Sequence, residues 1–239
     1  MVLLAIYSLI AGVATFAGAL VILALRELSR RTVTRLMGFG SGVLVATASL
    51  HLIPGSVEMS PLAAGWALLI SFLLFMGVEQ FVHSRSCLHY GECKVGVIGT
   101  MAFVALFIHS LVDGLAIAAG LRASPELGLA TAAAVIAHEV PEGITSVSLF
   151  RAAGYTGRLT FGLASAVAFA TPAGAFAAWH WTAGVTDPVL AMLLAFAAGS
   201  FIYVAAADIL PRLHEEQDVP AFLYLMLGVM APVMVLLME

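Results

Sequence analysis

Eight stretches of about twenty predominantly apolar residues follow one another along this 239-residue chain, at 2–25, 37–57, 61–82, 95–121, 125–150, 159–181, 187–210 and 219–238. A helix needs about 20 residues to cross the hydrocarbon of a bilayer. Within lipid, only helices and closed barrels satisfy their own backbone groups. The stretches are too long and too evenly apolar for the alternating strands of a barrel. The expected fold is therefore an all-α integral membrane protein, a bundle of about eight transmembrane helices that makes one transmembrane domain over 1–239. Composition agrees: 62% of residues are hydrophobic and 10% charged, against about 45–50% and about 25% in soluble domains. The N-terminus is apolar from Met1 and lacks a basic n-region, so it reads as a retained first helix rather than a signal peptide. No motif for a resident cofactor or for nucleic acid stands out. The expected partners are the lipid bilayer and divalent metal ions, and the many small residues permit a homodimer.

The basic residues orient the bundle. Nine of the ten Lys and Arg residues (Arg26, Arg30, Arg31, Arg35, Arg85, Lys94, Arg151, Arg158 and Arg212) fall in loops that follow odd-numbered spans, and only Arg122 falls in an even loop. Positive loops stay in the cytoplasm. Both termini are then expected to be extracytoplasmic, an arrangement that fits a bacterial inner membrane.

Ionisable groups inside a bilayer are costly and mark function by default. Span 4 contains His109, Asp113 and Gly114; span 5 contains His138, Glu139, Pro141, Glu142 and Gly143. In each span a histidine is followed one helical turn later by a carboxylate and then at once by glycine. Residues at i and i+4 share a helix face, so each helix offers an imidazole beside a carboxylate. Two such faces turned together supply two nitrogens and two carboxylates, a set that suits zinc and similar divalent metals. The two negative charges balance the ion and relieve the cost of burying either alone. The glycines allow close helix approach, and Pro141 removes a backbone hydrogen bond beside the site.

On these motifs the sequence resembles the Zrt-/Irt-like (ZIP) family of divalent-metal transporters. The fourth helix of that family carries His-Asn-x-x-(Asp/Glu)-Gly and the fifth His-Glu-x-Pro-(Glu/His)-Gly. Here they stand as HSLVDG at 109–114 and HEVPEG at 138–143. The span count, outward termini and short loops extend the likeness along the chain, with local echoes around His51–Pro54 and from Gly199 to Pro211. The resemblance implies that His109, Asp113, His138 and Glu142 form the transport site. It puts Glu139 where the family often has an acidic ligand of a second, adjacent metal site. Two departures bear on that second site: Ser110 stands where the family often has Asn, and Thr171 where many bacterial members have Glu. The expectation is one strong metal site, with Glu139 as a gate, a proton carrier or a weak auxiliary ligand. The implied activity is transport of zinc first, or of iron, manganese or cadmium, into the cytoplasm, with protons competing for the ligands. No enzymatic function and no resident cofactor are expected.

An intramembrane zinc hydrolase is the alternative. Its helix would carry His-Glu-x-x-His with the glutamate as general base, but position 142 is Glu, and His109 would have to replace the missing histidine. Of the other polar residues, His51 either lines the ion path or is a hydrogen-bonded structural histidine. Glu79 and His83 read as snorkelling side chains, His180 between Trp179 and Trp181 as part of an interfacial belt, and Asp208 with Arg212 as an interfacial ion pair. The loop at 83–94, with His83, Cys87, His89 and Cys93, either hands off or senses a metal or is a plain polar connection. The stretch 212–218 reads as a solvated loop.

Overall fold

The computed structural model describes residues 1–25, 28–86, 95–216 and 219–237, with the side chains at 25, 82–86, 95–98, 207–216 and 235–236 outside that set. Arg26, the His/Cys group at 83–94, the Asp208–Arg212 pair and the acidic stretch at 212–218 therefore lie outside the described residues or side chains. The described chain is helical, with no strand: α1 (Val2–Leu25), α2 (Arg30–Thr47), α3 (Ile53–Met59), α4 (Pro61–Ser86), α5 (Val95–Ala123), α6 (Pro125–Ala152), α7 (Gly157–Trp181), α8 (Asp187–Glu216) and α9 (Val219–Leu236). A π-helical turn over Ala48–Leu52 joins α2 to α3, so these two form one rod and the described residues make eight rods.

Local chemistry sets several boundaries. At the start of α6, Ser124 is extended and its side chain accepts from the N–H of Leu127, with Pro125 in the first turn and Glu126 beside it. These are the standard devices for opening a helix and complementing its dipole. The same helix closes at Gly154, whose φ of 76° suits glycine. Tyr155 N–H bonds to the Phe150 carbonyl and Gly154 N–H to that of Arg151, a Schellman closure. The second rod begins at Arg30, earlier than the apolar stretch at 37–57, because Ser29 caps it by accepting from the N–H of Thr32. Arg30, Arg31 and Arg35 are thus in helix and not in a loop. The π turn precedes Pro54, which lacks an N–H, and Ile53 N–H reaches back to the Ala48 carbonyl across the wider turn.

Among the described residues, six rods are long and apolar enough to cross a membrane: α1, α2–α3, α4, α5, α7 and α8. Helix α6 falls outside this group because it carries His138, Glu139 and Glu142 at its centre. The apolar part of α9, Val219–Met234, is shorter.

Packing divides the rods into two sets. Helices α1, α5, α6 and α7 pack on one another, and α2, α3, α4, α8 and α9 form the second set. The sets meet chiefly where α2 crosses α6 and α5 meets α8. On the side of the α6 and α8 N-termini that junction is filled by a buried apolar cluster that includes Leu44, Leu52, Ile117, Leu194 and Phe201. On the opposite side lies a cavity of about 320 Å³ between α4, α5, α6 and α8, lined by Glu79, Leu106, His109, Thr145 and Tyr203 among others. Glu79 is exposed, and its carboxylate accepts a hydrogen bond from the Tyr203 hydroxyl.

Candidate metal site

Helices α5 and α6 run antiparallel and turn their polar faces to each other. One ligand atom from each of His109, Asp113, His138 and Glu142 lies within 4.8 Å of the other three. His109 Nε2 is 3.4 Å from Asp113 Oδ2 and 3.8 Å from Glu142 Oε2. His138 Nε2 is 3.5 Å from Asp113 Oδ2 and 3.9 Å from Glu142 Oε2. A tetrahedral zinc ion, at roughly 2.0–2.1 Å from nitrogen or oxygen donors, separates them by roughly 3.3–3.4 Å. The two distances to Asp113 match that figure to within about 0.2 Å, and the two to Glu142 exceed it by about 0.5 Å.

All four residues are buried, Asp113 completely. Asp113 Oδ1 and Oδ2, Glu142 Oε2 and His138 Nε2 have no hydrogen-bond partner among the described residues. Buried unpaired carboxylates cost several kcal/mol each, so the arrangement calls for a cation or protons at its centre. Neighbouring groups aim the candidate ligands. His138 Nδ1 donates to the Ala134 carbonyl at 3.0 Å, which leaves the Nε2 lone pair facing the site. Ser110 donates to Glu142 Oε1 at 2.8 Å and leaves Oε2 for the centre. Across the junction, the Phe201 ring meets His138 edge-on at 6.0 Å.

Close backbone packing holds the two ligand helices. A Cβ on Gly114 would strike the Thr171 carbonyl oxygen of α7, and one on Gly143 the Thr15 carbonyl oxygen of α1. Helix α6 continues unbroken through Pro141. A narrow cavity of about 70 Å³, lined by Gly40, Ser41, Leu44, His109, His138, Pro141 and Glu142, reaches the ligands from α2.

Glu139 stands outside this group of four. It is fully buried; its Oε2 accepts from the Thr15 hydroxyl of α1, and its Oε1 accepts from the Thr171 hydroxyl of α7 at 2.7 Å. Sequence reasoning singled out Ser110 and Thr171 as departures but assigned no contacts to them, and it passed over Thr15, a lone hydroxyl in an apolar helix that carries no signal of its own. His51 is buried and bonds through Nε2 to the Pro232 carbonyl of α9 at 3.2 Å, the structural one of its two readings, while also lining an outer cavity with Glu58, Glu126 and Asp187. His180 is exposed at the end of α7.

Fold and site together define a polytopic helical membrane protein with a buried cage of two imidazoles and two carboxylates between neighbouring helices. The family model described as ZIP Zinc transporter matches residues 89–238, a span that includes both ligand helices, and the chain belongs to that family. Zinc transporter ZIP13 of Pongo abelii is 28% identical over 200 residues, covering 77% of this chain and 60% of that protein. Zinc transporter YKE4 of Saccharomyces cerevisiae is 24% identical over 216 residues, covering 77% and 62%. Zinc transporter ZIP4 of Homo sapiens is 36% identical over 111 residues, 46% of this chain and 17% of its own. The chain thus spans 60 to 62% of the length of the first two of these relatives.

Proposed function

We propose that the protein carries divalent metal ions, zinc first, across the membrane through His109, Asp113, His138 and Glu142. The observation that carries this reading is the convergence of four buried donors, two of them carboxylates with unpaired oxygens, with one ligand atom of each within 4.8 Å of the others. Family membership and relatives named zinc transporters support it. The hydrolase alternative finds no support: Glu142 stands where a second helical histidine would be needed, and the relatives are named as transporters.

The ion sheds its water and is held by the four side chains near the middle of α5 and α6. All four belong to the set α1, α5, α6 and α7, which shifts against the other rods to expose the site to each side in turn. Apolar packing around Leu194 and Phe201 closes one side, and the cavity beside His109 opens toward the other. With odd loops in the cytoplasm, as the Arg and Lys bias directs, that cavity faces the cytoplasm and the ion leaves inward.

Zinc influx into liposomes that hold a trapped indicator tests this, beside protein-free liposomes. Saturable influx is expected. The absence of influx of zinc, iron, manganese and cadmium in protein that still binds metal would reject transport.

Two further results are expected. Ser110→Ala removes the donor that orients Glu142, and loss of such an outer partner weakens metal sites by about 10–100-fold; calorimetric zinc titration should show at least about a tenfold rise in Kd. Protons compete with the metal for the same lone pairs, so initial influx should fall as the external pH is lowered from about 7.5 to about 5.5. An acid-independent rate would remove proton competition from the scheme.

A further inference from the structure

Glu139 is the one fully buried carboxylate among the described residues, besides Asp113, and it sits one residue from His138. Both of its oxygens are already taken. Thr15 donates to Oε2 from α1, and Thr171 donates to Oε1 from α7. The Thr15 hydroxyl has an alternative acceptor within its own helix, the Ala11 carbonyl at 3.1 Å. A charged acceptor makes the stronger bond, so the hydroxyl proton belongs to Glu139. The two bonds therefore tie three helices at one level of the bundle. The same level is where Gly143 lets α6 touch the Thr15 backbone and Gly114 lets α5 touch the Thr171 backbone. Each threonine thus contacts the ligand helices twice, by its carbonyl at a glycine and by its hydroxyl at Glu139.

Charge gives the same picture. Asp113 and Glu142 already supply the two negative charges that neutralise a divalent ion. The ion therefore needs no further charge from Glu139, whose two oxygens are satisfied instead by neutral hydroxyl donors.

We propose that Glu139 is a positioning residue and not a metal ligand: with Thr15 and Thr171 it forms a buried clasp that keeps α1, α6 and α7 moving as one piece around a site for a single ion. This rests on the four-ligand reading above and adds to it what holds the moving helices together.

The test uses the full-length protein in lipid nanodiscs and liposomes, with zinc alone as the probe. Wild type is expected to bind one zinc per chain. In Glu139→Gln the amide still accepts from one threonine and can donate to the other, so one zinc per chain and a Kd within about threefold are expected. A loss of bound zinc, or a tenfold rise in Kd, would make Glu139 a ligand and overturn the proposal. Thr15→Val and Thr171→Val should each lower the maximal influx rate at least about fivefold while Kd stays within about twofold. Thr15→Ser and Thr171→Ser, which keep the hydroxyl, should restore the rate. Wild-type rates in both valine variants would also overturn the clasp. If a valine variant does not fold, the glutamine variant still decides. His138→Ala serves as the control on the underlying reading: if it binds zinc as wild type does, the four-ligand site itself is wrong, whatever the clasp variants show.

Discussion

Zinc influx through Asp113→Asn protein is expected to fall at least about 100-fold. Asp113 is the most deeply buried of the four proposed ligands, with both oxygens lacking a hydrogen-bond partner, and its Oδ2 lies closer to both imidazoles than Glu142 Oε2 does. The substitution keeps the shape and removes half of the negative charge that offsets the ion. Removing one partner of a buried charge pair costs about 3–5 kcal/mol, and each 1.4 kcal/mol is about tenfold in affinity, which puts the loss between about 100-fold and about 4,000-fold. Folding should respond in the opposite direction. Without metal, a buried unpaired carboxylate is a liability, so the thermal midpoint of the metal-free variant should equal or exceed that of wild type. Zinc should raise the midpoint of wild type and leave the variant unmoved, because stabilisation by a ligand scales with its occupancy. Influx within tenfold of wild type would show that Asp113 does not hold the ion.

Gly114→Val is expected to fail for a different reason. The added Cβ would collide with backbone atoms of α7, at Thr171 and Ala175, and not with the yielding end of a side chain. Overpacking typically costs about 1–3 kcal/mol, and a collision with backbone puts this position at about 3 kcal/mol. Helices α5 and α7 would have to separate, and Asp113, the preceding residue, would move with α5. The expected result is a clearly lowered unfolding midpoint together with at least about a tenfold loss of influx. Gly65→Ala and Gly77→Ala are the comparison, since a Cβ at either position meets nothing within 4 Å; both should transport and melt as wild type does. If Gly114→Val matched them, the close approach of α5 and α7 would play no part in holding the site.

The helical membrane architecture was legible because it rests on average properties: long apolar runs have few alternatives in a bilayer. The candidate ligands were legible because a histidine and a carboxylate one turn apart must share a face, and because such groups are rare between apolar neighbours. What was not legible depended on which faces meet. Nothing in the residues around Thr15 indicates that it would reach Glu139, 124 positions away in the chain. Ser110 was noticed as a departure from a family pattern, but its bond to Glu142 is a matter of rotation of α5 against α6. The arginines at 30, 31 and 35 looked like loop because charge ends an apolar run, yet charge does not end a helix once a cap such as Ser29 opens it earlier. The membrane-crossing count shows the converse: α6 is less apolar than the other long rods because it carries the polar groups of the candidate site.

The junction between α2 and α6 has a mechanical meaning. At its middle, Gly40 lies against His138 so closely that a Cβ there would come within 3.1 Å of the His138 Cβ, and Ser41 and Pro141 line the same narrow gap. Long side chains that interlock must all change rotamer before two surfaces can slip, and each such change has its own barrier. A glycine facing a rigid proline and an anchored imidazole offers almost nothing to unlock. In the proposed transport cycle this part of the seam would serve as a smooth bearing: one helix could travel along the other without resetting the candidate ligands it carries, and a single added methyl at position 40 would act as grit, slowing the stroke while leaving the four candidate donors in place.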